Sequence, residues 1–138
     1  MPKLPSGLPE QIEDNEDLVR FLTSSGHFNR IVVKPSAFLP NPNGNETSVS
    51  RHGRKPSKRL REIGLLAAGE RTLHGAAFLK ALDVRKIQLD VIADEPPDRH
   101  AAIRNWPLES DPVLQKARQK ERALLLVAAS SAPFLFEP

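Results

Sequence analysis

Residues 47–68 read TSVSRHGRKPSKRLREIGLLAA, and the period of their side chains changes partway along. Thr47, Val49 and Arg51 alternate with Ser48 and Ser50, the two-residue period of a strand. From Ser57 to Ala68 the pattern is helical. At ~100° per residue Leu60, Ile63 and Ala67 share one stripe, while Lys58 and Arg61 lie opposite. Pro56 is acceptable near the start of that helix, and Gly69 is a natural stop. A strand followed so closely by an amphipathic helix points to an α+β domain.

Working outward, both periods recur. Downstream, residues from His74 or Gly75 to about Leu82 read as a helix carrying Ala76, Ala77, Phe78, Leu79 and Ala81. Ile87, Leu89 and Val91 alternate with Gln88 and Asp90 as a half-buried strand, and Asp94-Glu-Pro-Pro97 breaks the chain. Ala101 to Ile103 form a last short strand. The clearest helix opens at Ser110 and runs from Asp111 to about Ala129, with Pro112 tolerated in its first turn. Its second half, Ala123 to Ala129, is apolar all round and should be enclosed. The apolar tail Pro133-Phe-Leu-Phe136 should fold back onto the domain.

Upstream, Pro40-Asn-Pro-Asn-Gly-Asn45 is the strongest turn signal. Ile31, Val32 and Val33 start a strand that Pro35 stops, and it is placed to pair with the 47–51 strand across that loop. Asp14 or Asn15 can cap a helix to about Ser24, with Leu18, Phe21 and Leu22 on its apolar face. Residues 1–12, with Pro2, Pro5, Pro9 and Gly7, read as a flexible arm ahead of a single domain over 13–138. The expected architecture is α+β: a small, mainly antiparallel sheet, about four helices, and the helices on one face.

Composition narrows the chemistry. The 138-residue chain is 39% hydrophobic and 27% charged, a globular balance for one domain. One Trp, no Tyr and six Phe leave the core to aliphatic side chains, and thirteen prolines argue against a simple helical bundle. The absence of cysteine excludes disulfides, thiolate zinc sites and cysteine nucleophiles. No segment has signal-peptide character, and no apolar run approaches the ~20 residues a bilayer needs. These features fit a cytoplasmic protein with no membrane partner. Net charge is only +3, but it is polarised. Glu10, Glu13, Asp14, Glu16 and Asp17 form an acidic stretch, and Arg51, Arg54, Lys55, Lys58, Arg59 and Arg61 a basic one.

That basic segment carries the leading functional expectation. Cations on a loop and an exposed helix face neutralise phosphates and release counterions, so they suit an anionic partner, nucleic acid or acidic protein. No aromatic residues interleave, which disfavours base stacking. The chain is then a non-catalytic accessory or binding module; the same charges also fit a solvated helix face. A rival reading comes from Asp94 to Pro107. Here His100 could serve as general base, oriented by Asp94 or Asp98, while Arg99 or Arg104 binds an anion and His27 or His74 joins the pocket. That would make a small hydrolase or transferase. Alternatively, Trp106 packs in the core and His100 bonds a turn. A third reading has the acidic stretch and apolar tail docking a partner or a second copy; oligomeric state is left open.

Other chemistries find no motif. The histidines at 27, 52, 74 and 100 stand at least 22 positions apart, without local metal-ligand spacing, so no metal is expected. Ser36, Ser48 and Ser50 lack the G-x-S-x-G elbow. Neither a dinucleotide fingerprint nor a P-loop occurs, and no cofactor is expected.

Three stretches resemble parts of a small family of bacterial proteins without an established activity. They are Lys34-Pro-Ser-Ala-Phe-Leu-Pro40 followed by Thr47-Ser-Val-Ser-Arg51; His74-Gly-Ala-Ala77; and Glu95-Pro-Pro-Asp-Arg-His-Ala-Ala-Ile-Arg-Asn-Trp-Pro107. The resemblance covers roughly residues 30–107. It implies that these segments belong to one domain and implies no mechanism.

Overall fold

Strands dominate where apolar residues run without interruption. In the computed structural model, which describes residues 3–51 and 58–136, six strands form one antiparallel sheet. They are β1 (Asp17–Leu22), β2 (Thr47–Ser50), β3 (Gly75–Lys80), β4 (Asp90–Ala93), β5 (His100–Arg104) and β6 (Phe134–Leu135). Their spatial order is β4-β5-β2-β1-β3-β6. Three α-helices accompany them among the described residues: α1 (Lys58–Ala68), α2 (Ala81–Lys86) and α3 (Pro112–Ala129).

The strand period of two sorts apolar residues onto both faces of the sheet. Leu18 and Leu22 of β1 join Leu79, Val91 and Ile103 in the larger core, together with Phe38, Val84, Trp106, Ala123 and Leu126. Val19 and Phe21 of β1 join Ala76 and Phe78 on the opposite face, where Leu60 and Ile63 of α1 cover them. Helices therefore lie on both faces, which corrects the one-sided arrangement expected from the sequence. The sheet is larger than expected and the helices fewer. α1 approaches closely because Gly64 lacks a side chain: a Cβ there would lie 2.8 Å from Phe21 Cε1 and 2.9 Å from Leu73 Cδ2.

Double-sided burial also explains the two helices that turn out to be strands. Asp17–Leu22 pairs residue by residue with Gly75–Lys80, from Asp17↔Lys80 to Leu22↔Gly75. Strands buried on both faces lose polar alternation, and short apolar runs then mimic a helical stripe. The second predicted helix begins only at Ala81, after Lys80 N–H donates to Asp83 Oδ2. The predicted 31–33 strand is instead a turn: Asn29 Oδ1 accepts from the N–H groups of Ile31 and Val32, and only Val33 enters the core. It does not pair with β2, whose neighbours are β1 and β5. The alternation at 87–91 becomes a strand only from Asp90, since Gln88 has φ of 67°.

One further expectation fails: the second half of α3 is not enclosed, because the helix covers the sheet with one face only, burying Ala123 and Leu126 and leaving Leu124 and Leu125 49% and 43% exposed. Several others match. The 40–45 turn closes with an Asn41↔Glu46 bridge. The long helix is capped by Asp111, whose Oδ1 accepts from Val113 N–H. Residues 134–135 fold back on β3, and Phe136 N–H donates to His74 O. Residues 3–12 lie against the domain: Ser6 N–H donates to Glu95 Oε1 at 3.0 Å, and Ile12 joins the core. Three of the five residues of the acidic stretch form ion pairs, Asp14 with Arg85, Glu16 with Arg51 and Asp17 with Lys80. No helix among the described residues is long and apolar enough to cross a membrane.

Candidate functional site

One arginine stands out in the apolar strand DLVRFL. β1 and β2 pair at a single position, Val19↔Ser50. Where that ladder stops, Arg20 takes over with its side chain: Nε donates to Ala37 O at 2.7 Å and Nη1 to Ser48 O at 2.9 Å. These carbonyls satisfy hydrogens but supply no counter-charge, and no described carboxylate ion-pairs with Arg20. Burial pulls its guanidinium down to about 10, and the positive charge of Arg71 adds to the effect. The group remains a cation at neutral pH.

Arg20 forms part of the wall of a cleft between α1 and the sheet, with a cavity volume of about 110 Å³. An enclosed water needs roughly 10–15 Å³ on that scale, so the cleft has room for a group of several heavy atoms. Phe21, Val49, Ile63, Leu66 and Pro97 make its apolar walls. Arg71 enters from just beyond α1, where Nε and Nη2 donate to the helix-terminal carbonyls of Ala68 and Ala67. That position suits a cation, because unpaired carbonyls concentrate negative charge at a helix C-terminus. Arg59 enters from the first turn of α1, 3.7 Å from both Glu62 and Asp98. Three arginines against the single carboxylate of Asp98 leave the lining net positive.

A row of three polar residues crosses the sheet at the same cleft. Ser50 of β2 lies opposite His100 of β5. On the other side of His100, Asp94 follows β4, and its N–H donates to His100 O at 2.9 Å. His100 Nδ1 is 3.0 Å from Asp94 O and 3.3 Å from Asp94 Oδ2. Both neighbours are acceptors, so the proton of the neutral ring sits on Nδ1 and the lone pair on Nε2. Ser50 is 5% exposed, and its Oγ is buried without a hydrogen-bond partner. Leaving a buried hydroxyl unpaired costs about 1–3 kcal/mol.

The residues singled out from the sequence scatter around this site. Arg51 is buried: Nε and Nη2 grip Glu16 at 2.6 and 3.1 Å, and Nη1 donates to Pro9 O, so this cation belongs to the fold rather than to an exposed basic face. Arg54 and Lys55 lie outside the described residues. Lys58 and Arg61 are exposed on α1, and among the described residues of the segment only Arg59 lines the cleft. Of the rival set, His100 lines the cleft, Arg99 faces a separate depression beside Glu16 and Arg51, and Arg104 is exposed at the far end of β5. Asp94, not Asp98, contacts the His100 ring. Trp106 packs in the core, and its Nε1 donates to Ile103 O. His74 packs against Phe28 with tilted rings, centroids 5.5 Å apart, and does not line the cleft. His27, also outside it, is pushed below its ordinary 6.5 by burial and by the charge of Arg20.

Arg20, Arg71 and the pairing of Ser50 with His100 were missed from sequence. A lone arginine between Val19 and Phe21 was the available signal for Arg20. Among the described residues no group of three or more His, Asp or Glu is placed to hold a metal ion. No protein-family model, curated protein or solved structure matches the chain.

Proposed function

We propose that this chain is a binding module for an anionic ligand, seated in the cleft between α1 and the sheet. The carrying observation is Arg20, a half-buried cation that lines the cleft together with Arg71, is held by two carbonyls and has no described carboxylate to balance it. A half-buried charge is screened less than a fully exposed one, so an anion delivered to this wall gains a charge-assisted hydrogen bond. With a volume of about 110 Å³, the cleft holds a group of several heavy atoms rather than a length of nucleic acid. It suits a small anion on an apolar body, or a carboxylate presented by an acidic protein segment. Arg59 connects the site to the basic stretch 51–61, whose outer cations would raise the on-rate for negative partners.

Calorimetric titration with benzoate, phenyl phosphate and a 20-mer DNA tests this reading. The small anions should bind, and Arg20→Met should weaken them about tenfold or more, as expected for losing a hydrogen bond to a charge. Arg71→Gln, which leaves the β1–β2 junction intact, should weaken them as well. Unchanged affinity in both variants, or binding of DNA alone, would overturn the assignment to the cleft.

A further inference from the structure

We propose that the cleft also performs acyl transfer, with Ser50 as nucleophile, His100 as general base and Asp94 as the residue that positions the base. The catalytic set stands on its own geometry; the substrate class, a small ester carrying a negative charge, rests on the anion-binding reading above.

Register brings the three together. Arg51 N–H donates to Arg99 O, which makes Ser50 and His100 a non-hydrogen-bonded cross-strand pair. Such pairs are the closer kind, with Cα atoms about 4.5 Å apart and side chains on the same face. Asp94 holds Nδ1 from the β4 side, which leaves Nε2 as the ring nitrogen not engaged by Asp94, and Ser50 is the cross-strand neighbour of His100 on the β2 side. Asp94, His100 and Ser50 thus stand in the order positioning group, base, nucleophile across three neighbouring strands. Such a set is recognised by geometry and roles rather than by sequence context. The missing G-x-S-x-G elbow therefore does not exclude it.

The unpaired hydroxyl is the second observation. A structural serine buried to this extent normally bonds a carbonyl. Ser50 Oγ bonds nothing, so turning about χ1 toward Nε2 or the cleft breaks no hydrogen bond. Two cations without described carboxylate partners, Arg20 and Arg71, line the same space and would stabilise an oxyanion as well as a substrate charge.

The chemistry balances without a further reagent. Ser50 Oγ attacks the ester carbonyl carbon while His100 Nε2 takes the hydroxyl proton, and the carbonyl π pair moves onto oxygen. When that pair returns, the C–O bond to the alcohol breaks and the alkoxide takes the proton from Nε2. Water then attacks the acyl-serine by the same route, with His100 again accepting and returning the proton. One ester and one water become one acid and one alcohol, and Ser50 is regenerated.

The test uses the full chain with an alkyl fluorophosphonate and peptide mapping by mass spectrometry. It is joined by hydrolysis of 4-nitrophenyl hemiglutarate and 4-nitrophenyl butyrate, and by calorimetric binding of glutarate. The expected result is a phosphonyl adduct on Ser50, turnover of the hemiglutarate ester in preference to the butyrate, and at least a 100-fold loss of turnover in Ser50→Ala and His100→Gln. Ser50→Ala removes a hydroxyl that bonds nothing, so a folded variant is expected. Asp94→Asn should lower kcat with little change in KM, whereas loss of a merely structural aspartate would leave kcat of the folded protein unchanged. Absence of the adduct, or undiminished hydrolysis in Ser50→Ala, overturns the proposal. If glutarate binds in that case, the anion-binding reading survives it. An adduct on Ser50 with no glutarate binding and no preference for the charged ester would support the catalytic set and overturn the substrate class.

Discussion

Removing the carboxylate of Glu16 should unfold this protein more readily than any loss at its exposed ion pairs. Arg51 is gripped at both Nε and Nη2 by Glu16, at 2.6 and 3.1 Å, and its side chain is only 1% exposed, against 23% for Glu16. In Glu16→Ala the guanidinium keeps one carbonyl, that of Pro9, and no counter-charge. Stranding a buried charge costs about 3–5 kcal/mol, and water reaching the vacated site favours the lower end. With a urea m-value of about 2 kcal/mol/M for a domain this size, ~3 kcal/mol lowers the midpoint by roughly 1.5 M. Trp106 is the only tryptophan and is buried, so its fluorescence reports the transition directly. Replacing both members, Arg51→Met with Glu16→Leu, should recover most of the loss, because no charge is then stranded. A midpoint change below about 0.3 M in Glu16→Ala would refute the reasoning and return Arg51 to the exposed basic face.

Two further outcomes follow from the same packing. His27 should titrate below 6.5 by NMR, so over the interval beneath that value the unfolded chain binds more protons and stability falls as pH is lowered. Arg20→Met should move the His27 value partway back up, since burial, the larger cause, remains; an unmoved value would remove Arg20 from its surroundings. Gly64→Ala should destabilise by about 1–3 kcal/mol although alanine favours helix, because the new methyl meets Phe21 and Leu73 below 3 Å. A more stable variant in thermal unfolding would show that α1 does not press on the sheet there.

The sequence disclosed the elements whose period or bounding turn residues are visible locally. β2, β5, α1 and α3 each carry a visible period or a turn residue at the boundary, and the structure places them within a few residues of expectation. β1 and β3 were illegible for a physical reason. Each is buried on both sides, so Leu18-Val-Arg-Phe-Leu22 and Ala76-Ala-Phe-Leu79 hold no polar alternation to distinguish strand from helix. That error also hid the second apolar face, and with it the side of the sheet that α1 covers. The site was legible only in part. His100 and Asp94 are close in sequence and meet across one turn. Ser50 reaches His100 through a register between distant strands, which no local pattern encodes. The basic stretch drew attention to residues 51–61, yet two of the three arginines that line the cleft, Arg20 and Arg71, come from separate segments on either side of it.

The central claim is that the cleft beside Arg20 receives an anion. A titration of the isotopically labelled protein with benzoate, followed by ¹H–¹⁵N correlation spectra, tests it most directly. Saturable shifts are expected at Arg20, Ser50, Arg71 and His100, with the Arg20 Nε–H among them, and so is their loss in Arg20→Met. Shifts confined to the exposed cations Lys58 and Arg61, or identical shifts in Arg20→Met, would contradict it.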